Sequence, residues 1–335
     1  MKTKAAVLRN IGGPLVMEEL EVPKLKKGQI LVKISHSGLC RSNINEINGR
    51  KGVEFIPHLT GHEASAVVVE VGEGVTKIKE GGYVVCSWIK GSGLEAPVVQ
   101  YESSKGPVNA GTCSTFAEYA VVSENKVVRI SEKVKPEVAA LLGCAVPTGA
   151  GIIDNIVFKL GQKIAVFGIG GIGSSALMRI SSLNTAFSLD CIAFDIVPWK
   201  LFWAAKKLGI TAVNATDFDH EEFFDFAIEC SGNKWAMEAA FKCLNNTGTA
   251  IIAGNLEPGE KISIDPFELI KGKKLRGSWG GECFLDKDIP FYAKEYLGGR
   301  LPIEKLVTRV YSFDKINDGI KDLEEGKLIR GVVKF

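Results

Sequence analysis

The chain has 335 residues, of which 46% are hydrophobic and 24% charged, with 41 basic against 39 acidic side chains and a net charge of +2. That length and hydrophobic content suit a globular protein of two domains, and the charge balance excludes nucleic acid as the main partner. No apolar run approaches the ~20 residues that span a bilayer.

Nothing near Met1 has the pattern of a secretory signal, so the expected location is cytoplasmic and the expected partner a small molecule, with no membrane involved. The eight cysteines, at 40, 86, 113, 144, 191, 230, 243 and 283, include no CxxC pair. They read as free thiols and possible metal ligands, not a disulfide frame.

The first 145 residues are β-rich: short β-branched runs such as Gln29 to Ile34 and Ala66 to Val71 are punctuated by glycine. Gly91 to Gly111, weakly periodic and rich in small residues, is predicted to be a long loop. Near Pro147 the pattern changes. Strand-like Ile164 to Phe167, Cys191 to Phe194, Phe226 to Glu229 and Thr249 to Ile252 alternate with helical Ser174 to Leu183, Pro198 to Leu208 and Lys234 to Leu244. Such alternation predicts a parallel sheet with helices on both faces. The last stretch is expected to hold one helix, Pro290 to Leu297, among short strands.

The strongest local motif is Gly168-Ile169-Gly170-Gly171-Ile172-Gly173, set between a strand and a helix. In GxGxxG the first glycine allows a tight turn, the second lets backbone approach a pyrophosphate, and the third lets helix pack on strand. The helix start then offers free N–H groups to the phosphates. Asp195 ends the next strand, 22 residues past Gly173, where an acid bonds the ribose hydroxyls and favours NAD over NADP. The plain alternative is a glycine-rich turn and a surface aspartate.

Cys40, His62 and Cys144 offer two thiolates and an imidazole, a donor set that suits zinc and leaves a fourth position open. Bound zinc acts as a Lewis acid that lowers the pKa of an alcohol. Spacing alone leaves the alternative open, because buried cysteines are commonly small hydrophobes and histidines commonly core residues.

At these residues the sequence resembles the zinc-containing alcohol dehydrogenases of the medium-chain dehydrogenase/reductase superfamily. The likeness runs from Lys4-Ala5-Ala6-Val7 through Gly38-Leu39-Cys40-Arg41-Ser42, Gly61-His62-Glu63, Phe116-Ala117-Glu118-Tyr119 and Gly143 to Gly149, then GIGGIG, to Ile329-Arg330-Gly331-Val332. It implies an α/β protein in which a GroES-like, β-rich catalytic domain carries an inserted Rossmann doubly wound coenzyme domain. The expected boundaries are 1–146, 147–279 and a return over 280–335. In that family the active site lies in the cleft between the two.

Carried over residue by residue, Cys40, His62 and Cys144 hold the catalytic zinc, with Glu63 behind the metal. Ser42 accepts the alcohol proton, Arg41 and Arg330 clamp the pyrophosphate, Lys200 lies near the adenosine ribose, Thr148 contributes to the coenzyme site, and Trp88 walls the substrate pocket. The implied assembly is a homodimer or homotetramer, with Leu275 to Trp279 as the candidate edge strand.

Three departures stand out. Ile89 to Gly111 lacks the four cysteines that hold a structural zinc in many members, so one zinc per chain is expected. Asn43 replaces an aspartate that orients the zinc-bound histidine; its amide carbonyl is expected to accept from the imidazole N–H. Asn45 replaces a relay histidine, leaving proton exit to Ser42, the ribose hydroxyls and water. Gly82-Tyr83 also replaces a frequent Asp-Arg pair, which nothing in the sequence explains. The rival readings are a zinc-dependent polyol, sugar or nucleotide-sugar dehydrogenase, a zinc-free reductase of the quinone oxidoreductase type, and a non-catalytic NAD-binding protein.

Overall fold

The computed structural model describes residues 1–218 and 223–335. Two compact units emerge: Met1–Ala145 with Phe284–Gly299 and Val307–Phe335, and Val146–Cys283 with Arg300–Leu306.

The first unit opens with strands β1 (Lys2–Leu8), β2 (Leu15–Glu21) and β3 (Gln29–Leu39), helix α1 (Arg41–Ile47), and strands β4 (His58–Leu59), β5 (Glu63–Val71), β6 (Tyr83–Ser87), β7 (Val99–Ser103), β8 (Gly106–Ala110), β9 (Tyr119–Ser123) and β10 (Val127–Arg129). Helices α2 (Pro136–Leu141) and α3 (Ala145–Asp154) lead into the second unit. There β11 (Lys163–Phe167), α4 (Gly171–Phe187), β12 (Asp190–Asp195), α5 (Pro198–Leu208), β13 (Thr211–Asn214), β14 (Phe224–Glu229), α6 (Lys234–Lys242), β15 (Leu244–Ile252), α7 (Pro266–Ile270) and β16 (Lys274–Gly277) follow. Helix α8 (Leu285–Leu297), β17 (Val307–Ser312), α9 (Ile316–Glu324) and β18 (Arg330–Lys334) return to the first unit.

In the first unit β1, β2, β7, β8 and β4 close a barrel, and a seven-stranded sheet runs β10-β6-β5-β3-β18-β17 with β9 also on β3. Side chains from both sheets fill the cores: Leu8, Leu20, Leu59, Tyr101 and Phe116 on the barrel side, Ile30, Val32, Ala66 and Val84 on the other. The second unit is a parallel sheet in the order β13-β12-β11-β14-β15-β16. Its central strand β11 is buried from Ile164 to Phe167, as a sheet covered on both faces requires. Helix α5 starts with Pro198 in its first turn and stops at Gly209, whose φ of 68° is the left-handed cap that glycine accepts readily.

Four expectations need correction. Part of the predicted loop 91–111 is the β7–β8 hairpin. Val99 and Tyr101 alternate inward with Gln100 and Glu102 outward, and the Tyr101 hydroxyl accepts the Val121 N–H at 2.8 Å. The helix predicted from Pro290 begins five residues earlier, at Leu285. Asp288 takes the Phe284 N–H at 2.6 Å, and two aspartates in the first turn suit the helix dipole. A second C-terminal helix, α9, buries Ile316, Gly319 and Ile320 on one face. The helix predicted through Leu244 ends at Lys242, because Leu244 already pairs with Phe224 in β15.

The second unit also runs past the expected residue 279, to Cys283. Asn155 donates to the Gly281 carbonyl at 2.9 Å and the Cys283 thiol to that of Pro147 at 3.0 Å, tying this segment to α3.

Candidate active site

Two constellations carry chemistry, one in each unit. In the first, Cys40 stands between β3 and α1 as the helix N-cap, with its N–H donating to Asn43 Oδ1 at 2.9 Å. Glu63 opens β5 and is 0% exposed. Cys144 precedes α3. One ligand atom each from Cys40, His62, Glu63 and Cys144 lies within 4.8 Å of all the others.

Arg330, at the start of β18 and 3% exposed, donates from Nη2 to Glu63 Oε1. Gly38 makes room for this pair: a β-carbon there would lie 2.5 Å from the Glu63 carboxyl carbon and 2.9 Å from Arg330 Nη2. No spacing rule reveals that contact.

The electrostatics of the group are those of a cation site. A hydrogen bond from Cys144, and then one from His62, hold Cys40 well below the usual thiol range. Cys144 is pushed well up by that same bond and by burial. Burial works against charge on His62, yet the Cys40 thiolate and Glu63 raise it. Burial also raises Glu63, with Arg330 opposing. Glu63 Oε2 is buried without a hydrogen-bond partner. Two thiols, an imidazole and an orphaned carboxylate oxygen converging in one buried spot fit a divalent zinc ion.

Ser42 Oγ lies 3.5 Å from His62 Nε2, and Asn43 Nδ2 lies 3.5 Å from His62 Nδ1. This overturns the expected Asn43 contact. The amide oxygen is taken by the Cys40 N–H, which turns the NH2 group, not the carbonyl, toward the imidazole.

In the second unit the glycine motif turns from β11 into α4. Gly168 has φ +93°, a β-carbon on Gly173 would collide with the Gly168 carbonyl oxygen, and one on Gly170 would meet nothing within 4 Å. The turn and the packing are thus filled, and the middle glycine faces open space, as a cradle for a pyrophosphate requires. Gly171 and Ile172 open α4. Asp195 accepts the Ile169 N–H at 2.6 Å and the Val197 N–H at 2.9 Å, so it pins the glycine loop. A cavity of about 570 Å³ adjoins it, lined by Gly168, Asp195, Thr216, Ser231 and Asn233 and by the rings of Phe167, Phe194, Phe218 and Trp235. Sequence reasoning missed this aromatic lining, since Phe218 and Trp235 lie far apart along the chain. Glu229, raised by burial, accepts the Ser231 and Gly232 N–H groups and sets that wall.

The remaining candidates are placed individually. Arg41 is exposed on the first turn of α1, and Thr148 is buried in α3. Lys200 lies in the first turn of α5, its ammonium 6.0 Å from the Trp199 ring centroid. Trp88 follows β6, half-buried, and Lys126 donates to its carbonyl at 2.6 Å.

A thiolate–imidazole metal group beside a GroES-type barrel, together with a doubly wound sheet bearing GxGxxG, defines the class: a metal-dependent, dinucleotide-linked dehydrogenase. The alcohol dehydrogenase GroES-like domain matches residues 26–132, and the zinc-binding dehydrogenase domain matches 171–294. The S-(hydroxymethyl)glutathione dehydrogenases of Escherichia coli O1:K1 and Shigella sonnei are each 32% identical over 376 aligned positions, covering 100% of both chains.

Among solved structures, an alcohol dehydrogenase zinc-binding domain protein from Burkholderia ambifaria superimposes with a TM-score of 0.90 at 26% identity, over 100% of this chain and 99% of that one. Benzyl alcohol dehydrogenase from Acinetobacter calcoaceticus does so at 0.88 and 25%, with the same coverage. The chain belongs to the zinc-type alcohol dehydrogenases of the medium-chain dehydrogenase/reductase superfamily. It is an oxidoreductase, and zinc and NAD are the cofactors its family implies.

Proposed function

We propose that this chain oxidises an alcohol to an aldehyde or ketone, reversibly, at a single zinc held by Cys40, His62 and Cys144. The convergence of those ligand atoms with Glu63 within 4.8 Å carries the reading. Zinc, when bound, supplies the Lewis acidity that makes an alcohol hydroxyl give up its proton near neutral pH. The residues do the rest. Ser42, beside His62, takes the alcohol proton. Glu63 balances the metal charge from behind, and Arg330 holds it there. Trp88 walls the substrate pocket.

Gly168, Gly170, Gly171, Ile172 and Gly173 cradle the NAD pyrophosphate, with Thr148 in the same unit; for Arg41 and Arg330 the role of cationic clamps follows the family pattern alone. Asp195, whose carboxylate has lone pairs beyond the two N–H groups it binds, takes the ribose hydroxyls, with Lys200 alongside.

One zinc per chain is supported by the segment that holds four cysteines in many relatives. Here Glu124 accepts the Thr76 and Lys77 N–H groups at 2.7 and 2.8 Å and the Leu94 N–H at 2.7 Å, while Asp286 accepts the Ser92 N–H at 2.6 Å. Carboxylates organise this segment where thiolates and a metal do so in those relatives. A cytoplasmic location is supported by eight cysteines of which none forms a disulfide among the described residues. A homodimer or homotetramer is supported by β16, an edge strand followed by Trp279, which is 77% exposed.

The test is a panel of primary alcohols, benzyl alcohol, butanediols, polyols and S-(hydroxymethyl)glutathione read by NADH absorbance, with metal content measured on the same sample. One zinc per chain and turnover of at least one alcohol are expected. A metal-free protein, or tight NADH binding without turnover, rejects the reading, and turnover of polyols alone shifts it to the polyol class.

The Asn43 geometry makes a separate prediction. Were His62 to hold the ion through Nε2, Nδ1 would carry hydrogen and face an amide that is itself a donor. Asn43→Asp keeps an acceptor for the Cys40 N–H and gives Nδ1–H a carboxylate, so zinc affinity should rise by about 10- to 100-fold. The added charge should also raise the kinetic pKa of alcohol oxidation. Competition with a chromophoric chelator reads the first effect, and an unchanged affinity would show that the amide costs nothing.

A further inference from the structure

Glu63 opens β5, which lies between β3 and β6 in the sheet. A serine that is 0% exposed stands on each neighbouring strand: Ser37 on β3, paired with Ala64, and Ser87 on β6, paired with Glu63 itself. A hydroxyl buried in a sheet must find partners there. Each of these finds two, and each donates to a carbonyl that belongs to the metal group's own backbone.

Ser37 Oγ lies 2.8 Å from the Glu63 carbonyl oxygen and 2.8 Å from Thr115 Oγ1. Thr115 Oγ1 is 3.4 Å from that carbonyl, so the shorter bonds set the order. Thr115 donates to Ser37, and Ser37 gives its one hydrogen to Glu63. The chain around Thr115 closes on the same segment. The Thr115 and Phe116 N–H groups both donate to the Thr60 carbonyl, at 3.1 and 3.2 Å, and the Cys113 thiol donates to that of His62 at 3.8 Å. Gly61, at φ +86°, permits this approach, since a β-carbon there would lie 2.5 Å from Thr115 Oγ1. Ser87 plays the equivalent part for Cys144. Its Oγ donates to the Gly143 carbonyl at 2.6 Å and accepts the Ile89 N–H at 2.9 Å. A β-carbon on Gly143 would lie 2.4 Å from the Cys86 carbonyl oxygen and 2.8 Å from the Glu63 β-carbon, so this peptide rests directly against β6 and β5.

We propose that Ser37 and Ser87 are positioning residues for the metal, one aiming His62 and Glu63 and the other aiming Cys144. The proposal rests on the zinc reading above. The held carbonyls adjoin the ligand side chains along the chain, since Glu63 follows His62 and Gly143 precedes Cys144. Rotating either peptide swings the side chain next to it, out of a group whose ligand atoms gather within 4.8 Å. Both hydroxyls act on backbone, so they set where the ligand atoms stand without competing for them. Ligands fixed beforehand cost less to order when an ion binds, and affinity rises accordingly.

The test uses the full chain stripped of metal and reloaded. Ser87→Ala and Ser37→Ala should each weaken zinc binding about tenfold or more in competition with a chromophoric chelator. With cobalt in place of zinc, the thiolate-to-cobalt charge-transfer band should shift more in Ser87→Ala, which frees a sulfur ligand, than in Ser37→Ala. NADH affinity should keep its wild-type value, because the glycine motif belongs to the other unit. Ser123→Ala is the control. Ser123 is also buried in the first unit, but its Oγ accepts the Ala96 N–H at 2.8 Å and donates to Asn125 Oδ1 at 2.9 Å. Its loss should lower the urea midpoint of the zinc-free protein and leave zinc affinity unchanged. If Ser87→Ala folds poorly, Ser37→Ala and Thr115→Val, which removes the hydroxyl that orients Ser37, carry the test, both weakening zinc binding. A lower urea midpoint with wild-type zinc affinity and cobalt spectrum overturns the proposal, since the serines then support the sheet alone. A wild-type protein that takes up neither zinc nor cobalt would fail the zinc reading first.

Discussion

Cys144→Ala should cost the enzyme its metal and at least about a thousandfold in alcohol oxidation, the largest effect expected of any single substitution on activity. The reason lies in the hydrogen-bonded pair of sulfurs. The hydrogen bond between them lowers Cys40 and, with burial, raises Cys144. Metal binding requires both sulfurs as thiolates, and the two charges neutralise the ion. With alanine at 144, one thiolate, His62 and Glu63 remain, and Glu63 is already engaged by Arg330. Zinc content should fall from one per chain to near zero after dialysis. NADH binding should survive, since the glycine motif belongs to the other unit. A variant that kept stoichiometric zinc and turnover within tenfold would show Glu63 serving as the third ligand.

The coenzyme unit was the most legible part of the chain. Buried β-branched strands alternate with capped helices, so the periodicity that makes the fold is written locally from Ile164 to Ile252. The glycine motif was equally local, because the turn, the approach and the packing each demand glycine at a fixed offset. The metal group was legible only by resemblance: pairing of β3 with β5 brings Cys40 to His62, and Cys144 arrives from a hundred residues away behind α2, which packs on both strands, so no period is left. Two kinds of feature stayed hidden. Side-chain partners chosen across the fold, such as Gly38 yielding to Glu63 and Arg330, or Phe218 meeting Trp235 edge-on at 6.0 Å, have no sequence signature. The orientation of an amide is also unreadable, because Asn43 could have turned its carbonyl either way until the Cys40 N–H claimed it.

Arg330→Leu should destabilise the first unit by about 3–5 kcal/mol, because it strands a buried carboxylate. The guanidinium is 3% exposed, is raised further by Glu63, Cys40 and Cys144 against the effect of burial, and faces a glutamate that is 0% exposed. Leucine fills much of the volume but offers no charge. Glu63 is already raised above its ordinary 4.5 by burial, and Arg330 is the leading influence pulling it back. Without it the carboxyl rises further. A raised carboxyl in the folded state contributes stability that is complete below the unfolded value of 4.5 and is lost as pH rises through the folded value. The deficit of Arg330→Leu should therefore be small near pH 4.5 and grow toward pH 8. Urea midpoints of the zinc-free proteins across that range measure it. Adding Glu63→Gln should recover part of the loss at pH 8 and less toward pH 4.5, where the raised carboxyl of the folded state takes up its proton. Bound zinc places a cation beside Glu63, so the holoenzyme should show a smaller deficit than the chelated form. A deficit independent of pH and of zinc would mean that Arg330 stabilises through packing alone, and that Glu63 does not depend on it for charge.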